Sequence, residues 1–163
     1  NLRSVTISHL RKVLTEFEGI SIVYENNVFL LKTNDKFHCD YLELLALVEG
    51  EQQPSDEQLF NILGRGKFLQ DISQPSLDNA KGDMDNRLLP LLTNRMKAAY
   101  DAKEYKSAIC YAQIINCYDP LDENAFKIHV RALHKLGMNM EAQEVAHLFE
   151  KEYKRIYGNS YEG

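Results

Sequence analysis

Cysteine is scarce in this chain of 163 residues, which has three, and none of them forms a CxxC pair. An odd number without that spacing argues against a disulfide framework or a zinc site. Cys110 and Cys117 lie seven residues apart in one helical pattern. That spacing is about 10 Å along a helix axis, which is too far for a disulfide. We expect Cys39, Cys110 and Cys117 to be small buried thiols in a reducing cytosol.

Long apolar stretches are missing as well. No run approaches the ~20 residues of a membrane-spanning helix, and no signal peptide opens the sequence. These absences predict a cytoplasmic protein with no membrane segment. The apolar content of 44% allows a sizeable core, and the length fits one domain, or a small domain with a fragment of another.

Signatures of catalysis are also lacking. The segment GRGKF has neither the spacing of a phosphate-binding P-loop nor its terminal Lys-Ser/Thr pair. The histidines show neither an HExxH motif nor i, i+4 pairs, so they are interpreted as surface or core residues: His9, His38, His129, His134 and His147. No serine or cysteine has an activating context. The sequence therefore predicts no enzyme, no catalytic residue, no cofactor and no metal site.

Positive charge is in short supply, because the formal net charge is −5. The whole chain is thus not an obvious nucleic-acid binder. The charge is uneven, however: residues 1–12 contain three cations and no acid, whereas acids dominate much of the remainder. This asymmetry indicates two parts with different partners.

The cationic part predicts a helix followed by a β-hairpin. Apolar residues recur at helical spacing through residues 1–17, and Gly19 ends the pattern. Two β-rich runs then flank Asn26-Asn27, and asparagine tolerates the positive φ that a two-residue hairpin turn needs. The sequence therefore predicts a helix over 1–17 and a hairpin that turns at these asparagines.

One face of the predicted N-terminal helix is polar, small and cationic. It faces away from an apolar face that includes Leu10, Val13 and Phe17. Small side chains let a helix approach base edges, and flanking cations reach phosphates. Under the DNA-binding hypothesis, the residues of the helix and the hairpin tip that contact DNA are Asn1, Ser4, Ser8, Arg11, Lys12, Asn26 and Asn27. The alternative is that these residues form an ordinary solvated surface.

From Phe37 onward the segments have helical patterns, apart from an irregular connector with the sequence GRGKFLQDISQP, and a repeat is found near the C-terminus. When the sequence is aligned with itself at one fixed offset, three pairs of alanines and one pair of larger apolar residues match, and a predicted turn falls at the same place in both segments. The matched pairs, all at the same offset, are Ala98 and Ala132, Ala108 and Ala142, Ala112 and Ala146, and Ile114 and Leu148. The offset equals the period of about 34 residues that is typical of tetratricopeptide repeats, which have two antiparallel helices per unit.

The acids around Pro120 have two interpretations. As helix punctuation, Asp119 is the predicted N-cap, Pro120 the first helical residue, and Asp122 and Glu123 the first turn. As a site, the same carboxylates would serve acid–base or metal chemistry. The repeat register favours punctuation, because Pro120 falls where one helix pair ends and the next begins.

Two resemblances extend these predictions. The segment SVTISHLRKVL, followed by the hairpin, resembles the recognition helix and wing of OmpR-type winged helices; the matching residues are Val5, Ile7, Ser8, Leu10, Arg11, Lys12 and Leu14. The remainder resembles the bacterial transcriptional activator domain of antibiotic-regulatory-protein (SARP) type activators. Its matching motifs are Asp40, Gly66-Lys67-Phe68-Leu69, Asp119-Pro120-Leu121-Asp122-Glu123 and Leu136-Gly137.

The resemblances imply a fold and a function. The fold is mainly α, with tetratricopeptide-like repeats over 36–163 and, over 1–35, the C-terminal part of a winged helix whose first strands and helices are missing. The function is transcription regulation by a bacterial DNA-binding activator. Its partners are DNA in the full-length protein, RNA polymerase or another protein through the helical repeats, and a second copy in a homodimer. The alternatives are a tetratricopeptide interaction module with no DNA-binding role and, more weakly, a small-molecule sensor.

Overall fold

The computed structural model describes residues 2–50 and 54–162. Within them the chain forms seven α-helices and one antiparallel hairpin, which confirms the predicted mainly helical fold with a small N-terminal β element. The chain divides into a first compact unit that ends at Asp40 and a second that begins at Tyr41. In chain order the elements are α1 Leu2–Leu14, β1 Ile20–Glu25, β2 Val28–Thr33, α2 Asp40–Glu49, α3 Asp56–Leu63, α4 Pro75–Asp101, α5 Tyr105–Tyr118, α6 Glu123–Lys135 and α7 Asn139–Tyr157.

The hairpin of the first unit forms as the asparagines predict. Strands β1 and β2 pair from Ile20 with Thr33 to Glu25 with Val28. Asn26 and Asn27 have φ values of 50° and 65°, so both central residues of the turn are left-handed, as in a type I′ turn. Helix α1 ends at Leu14, three residues before the predicted end. A looser turn through Phe17 follows it.

The first unit has no fully buried side chain among residues 4–40. Ile7 and Leu14 of α1 are half-buried, whereas Leu10, Val13 and Phe17 are exposed. An isolated two-stranded hairpin is marginally stable in water. Much of the apolar surface of the first unit is exposed, including the face of α1 that the sequence pattern predicts to pack against other residues.

The second unit has a continuous core centred on α4 and α5. Helix α4 contributes buried residues at nearly every fourth position, which places them on one stripe: Met84, Leu88, Leu92, Met96 and Ala99. Helix α5 buries Ala108, Tyr111, Ala112 and Ile115 against it. Pro90 lies within the continuous helix α4 on an exposed side, where a missing backbone hydrogen bond disturbs the core least.

A polar network joins α3 to the core helices. The Tyr111 hydroxyl donates a hydrogen bond to Asp56 Oδ1 at 2.5 Å. Arg95 donates to the same oxygen at 3.3 Å and to the Pro54 carbonyl at 2.9 Å. Burial, and then the bond to Asp56, raise the pKa of Tyr111 well above its usual value. The hydroxyl therefore stays a donor throughout the physiological range. Ser55 caps α3 through a capping box with Gln58.

The irregular connector between α3 and α4 is held by its Gly-Lys-Phe-Leu motif. Lys67 pairs with Asp85 at 2.8 Å, and its ammonium lies 5.1 Å from the centre of the Tyr118 ring. The Phe68 ring stacks on Tyr41 at 4.6 Å. Burial, together with Asp85, raises the pKa of the Tyr118 phenol to about 12. The motif singled out in the sequence thus packs the connector against its neighbours.

The α4–α5 and α6–α7 corners, which lie one repeat period apart in the sequence, have the same backbone geometry. Lys103 and Gly137 both have positive φ, at 64° and 76°. The next amide bonds back to the carbonyl five residues earlier in each corner, from Glu104 to Ala99 at 2.8 Å and from Met138 to Leu133 at 3.0 Å. This is the hydrogen-bond pattern of a Schellman-type helix end.

Along the helices the correspondence between the two copies is less regular. Ala108 and Ala142 are both buried, and so is Ala132, whereas its partner Ala98 is exposed. Ala112 is buried, but Ala146 is only half-buried. The two helix pairs therefore match most closely at their corners and at the start of each second helix.

Leucine at Ala108 or at Ala142 should destabilise the protein. Both sites are buried at close helix contacts, and overpacking such a site costs about 1–3 kcal/mol. Ala98→Leu is the matched control, because the same change on an exposed face of α4 should alter stability by about 0.5 kcal/mol or less. Urea denaturation measures all three variants. Equal stability of the three would show that these alanines are not close-packed.

Candidate nucleic-acid interface

The residues predicted to approach DNA lie in the first unit. On α1, Ser4, Ser8 and Lys12 are all exposed. Their spacing places them within about 80° of one another around a helix with 100° per residue. They therefore share one face of α1. Asn1 lies outside the described residues.

Arg11 has a second role that sequence reasoning missed. Its Nε donates a hydrogen bond to the backbone carbonyl of Ile22 at 3.1 Å. That bond fastens α1 to β1. The other guanidinium N–H groups are not used in it, and the side chain is exposed, so Arg11 can still bind a phosphate. A helix-to-strand contact of this kind has no local sequence pattern.

The hairpin tip is ordered by an aromatic side chain. The Tyr24 hydroxyl donates to Asn27 Oδ1 at 3.4 Å, and the Tyr24 and Phe29 rings lie 4.8 Å apart on one face of the hairpin. Asn26 and Asn27 are both exposed. The tip therefore presents two amide side chains on a constrained turn.

The positive charge available to a phosphate lies on α1. Lys32 of the hairpin pairs with Glu25 at 2.5 Å, and Lys36 pairs with Glu18 at 3.3 Å. Among the described residues, Lys12 makes no ion pair. A cation already paired with a carboxylate attracts phosphate less, so α1 carries most of the charge that could attract a nucleic acid.

The predicted N-cap is wrong at the acidic corner, which is formed by Asp119, Asp122 and Glu123 around Pro120. Asp122, and not Asp119, is the N-cap of α6, since its Oδ1 accepts from the Ala125 amide at 2.7 Å. Asp119 ends α5, and its carboxylate accepts from the Leu121 amide at 3.0 Å. That bond holds a turn that contains Pro120, so the proline precedes the helix by three residues and is not its first residue.

The third acid of the corner also has structural partners. Glu123 Oε2 accepts from Lys127 and from the Tyr161 hydroxyl, both at 2.9 Å, and these hydrogen bonds lower the pKa of its carboxyl. Tyr161 in turn packs edge-on against Phe126 and Phe149. Each carboxylate of the corner therefore orders backbone or anchors the C-terminal tail.

The cysteines and histidines are mostly surface groups. All three cysteines are free, and the expected burial is wrong for Cys117, which is exposed; Cys39 and Cys110 are half-buried. Among the histidines only His129 of α6 is buried, at 5% exposure. Its Nδ1 has no hydrogen-bond partner among the described residues. Burial lowers the pKa of its imidazole, so His129 is neutral near pH 7.

Comparison of the chain with protein-family models, with curated proteins and with solved structures gives no match. The resemblance to antibiotic-regulatory-protein type activators therefore remains a prediction from the quoted motifs. Across residues 2–50 and 54–162, none of the helices has both the length and the apolar character that crossing a membrane demands.

Asp122→Ala should destabilise the protein by about 1 kcal/mol, because it removes an N-cap acceptor. Asp122→Asn is the matched control, since asparagine caps a helix about as well as aspartate. Thermal and urea unfolding of both variants measure the difference. If the asparagine variant lost as much stability as the alanine variant, charge and not capping would explain the role of Asp122.

Stability should fall as the pH drops below neutrality, in part because of His129. The unfolded imidazole binds a proton with a pKa of about 6.5, whereas the folded one binds it only at lower pH. The unfolded state therefore binds more protons, and the free energy of unfolding decreases below about pH 6.5. Urea titrations between about pH 7 and pH 5 should show a shallower decrease for His129→Gln.

The comparison uses the pH slope of each protein, so an overall loss of stability in His129→Gln does not obscure it. His147→Gln, on an exposed site of α7, is the control and should keep the wild-type slope. Identical slopes for His129→Gln and the wild type would contradict the assignment of this pH dependence to His129.

Proposed function

We propose that this chain is part of a DNA-binding transcriptional activator. In this proposal α1 is a recognition helix that enters the major groove, and the β1–β2 hairpin is a wing that approaches the backbone or the minor groove. The second unit is a tetratricopeptide-like module that contacts RNA polymerase or another protein.

The observation that carries the proposal is the construction of the first unit. Ser4, Ser8 and Lys12 occupy one exposed face of α1, and Arg11 fastens that helix to β1 beside a tight type I′ wing. Small polar residues at the helix surface suit base edges, and the adjacent cations suit phosphates.

The exposed apolar residues of α1 support the same proposal. A recognition helix packs its inner face on other helices of its domain, and in this chain Leu10 and Val13 of α1, with Phe17 just after it, are exposed. The proposal requires further polypeptide to cover that face.

The module role of the second unit is supported by its paired corners. Lys103 and Gly137 have equivalent conformations one repeat period apart, and Ala108 and Ala142 are buried just beyond them. Stacked helix pairs of this period form extended surfaces that suit protein partners.

The second candidate is a protein-interaction module with no role in DNA binding. The observation in its favour is charge: three cations of the first unit are engaged in local contacts, namely Arg11 of α1, Lys32 of the hairpin and Lys36 beyond it. In that case α1 and the hairpin would have no role in binding a nucleic acid.

The test uses the protein as its gene encodes it, with whatever residues flank these 163. Selection from a random duplex library should enrich a defined sequence. Ser8→Ala should change the preferred bases, because a good base contact is worth about 1–3 kcal/mol. Lys12→Gln should weaken binding to all sequences alike and reduce the slope of log K against log salt by about 1.

Lys36→Gln is the matched control, since it removes the same charge from a lysine outside α1 and the hairpin. It should leave both the preferred sequence and the salt slope close to wild type. Failure to enrich any sequence, or equal effects of Lys12→Gln and Lys36→Gln, would favour the interaction module.

A further inference from the structure

A groove runs along the second unit between α5 and α7, with α6 as its floor. Helix α5 packs on α6 and α6 packs on α7, but α5 and α7 do not pack on each other. The space between them holds two adjoining cavities of about 540 and 410 Å³. The two cavities share four lining residues, Gln113, His129, Val145 and Leu148.

The walls of this groove are largely apolar and open to solvent. Leu148 of α7 is 56% exposed, although it faces the groove. Leu136 and Met138, at the α6–α7 corner, are also exposed, and Ile109 of α5 lines the opposite wall. An exposed apolar surface in a concave setting is typical of a binding site.

The charged side chains that line the groove are mostly acidic. Glu141 and Glu144 lie on its α7 rim, are exposed, and make no ion pair among the described residues. In its floor and wall, the buried Asn116 Oδ1 and His129 Nδ1 lack hydrogen-bond partners. Lys106 is the one cation among the described lining residues. Because three glutamates and one lysine line the groove, it suits an occupant that carries positive charge.

We propose that this groove binds an amphipathic helix of a protein partner, with leucine- or methionine-sized side chains on one face and lysine or arginine beside them. A helix fits because helices form both walls and the floor, and the described part of the second unit offers no strand edge for an extended peptide. The cations would pair with Glu141 and Glu144. This inference rests on the proposed role of the second unit in contacting a protein.

The probe is a displayed library of helical peptides, selected on the 163-residue chain. The enriched peptides should share apolar residues at i, i+3 or i+4 and i+7, with lysine or arginine flanking them. A synthetic peptide from the selection then reports affinity by fluorescence anisotropy. Its contacts are mapped by amide chemical shifts, which should change at Gln113, Val145 and Leu148.

Two variant pairs separate the groove from the rest of α7. Leu148→Gln should weaken binding about tenfold, because it removes a partly exposed apolar contact. Ile156→Gln should have no effect, since Ile156 is similarly exposed, at 51%, on the same helix but does not line the groove. Glu144→Lys should weaken binding about three- to tenfold, whereas Glu150→Lys, the same charge change outside the groove, should not.

Several outcomes would overturn the proposal. They are selection of acidic peptides, equal effects within either variant pair, shift changes confined to other helices, or absence of any enriched peptide. A chain that dimerises at micromolar concentration and becomes monomeric with Leu148→Gln would show that the groove binds a second copy instead. DNA selection with Leu148→Gln in the full-length protein separates the two proposals. If this variant loses peptide binding but still selects its DNA sequence, both proposals are supported. If the protein binds the peptide but prefers no DNA sequence, only the transcriptional role is refuted.

Discussion

Burial of Tyr111 is the interaction on which the second unit depends. The ring is fully buried on α5 and lies 4.8 Å from the ring of Phe60 on α3. Its hydroxyl reaches Asp56, which Arg95 of α4 also contacts. One side chain thus joins three helices through apolar area and a polar bond together. Truncation of the ring would leave a cavity, and loss of the hydroxyl would remove one of the two side chains that donate to Asp56.

Features that depend on neighbouring residues could be predicted from the sequence, whereas features that depend on contacts between distant residues could not. The Asn26-Asn27 turn and the corner at Gly137 follow from residues that tolerate positive φ. The sequence predicts the N-cap of α6 at Asp119, three residues before its actual position, because Asp119 and Asp122 are both good capping residues. Only the turn around Pro120, which occupies the Asp119 carboxylate, decides between them. The same limit hid the Arg11–Ile22 bond, which joins residues on different elements.

The candidate interface shows the same division. Helical periodicity correctly placed Ser4, Ser8 and Lys12 on one exposed face. Periodicity could not show that Leu10, Val13 and Phe17 are exposed as well, because a pattern reports which residues could pack and not what covers them. The sequence does not show the α5–α7 groove either, since its walls and floor come from three different helices. His129 differs from the other histidines only in its tertiary surroundings.

The packing of each helix on its neighbour in the chain also bears on how the second unit is made. Helices α4, α5, α6 and α7 pack in sequence order, so most of their contacts have low contact order, and such proteins fold quickly. During synthesis α4 and α5 can associate before α6 and α7 leave the ribosome. Arg95 of α4 supplies the first polar contacts to Asp56 and Pro54, and Tyr111 adds another to Asp56 when α5 emerges. Most of the core residues are therefore present once α5 has emerged, and α6 then adds Ala125 to the same core.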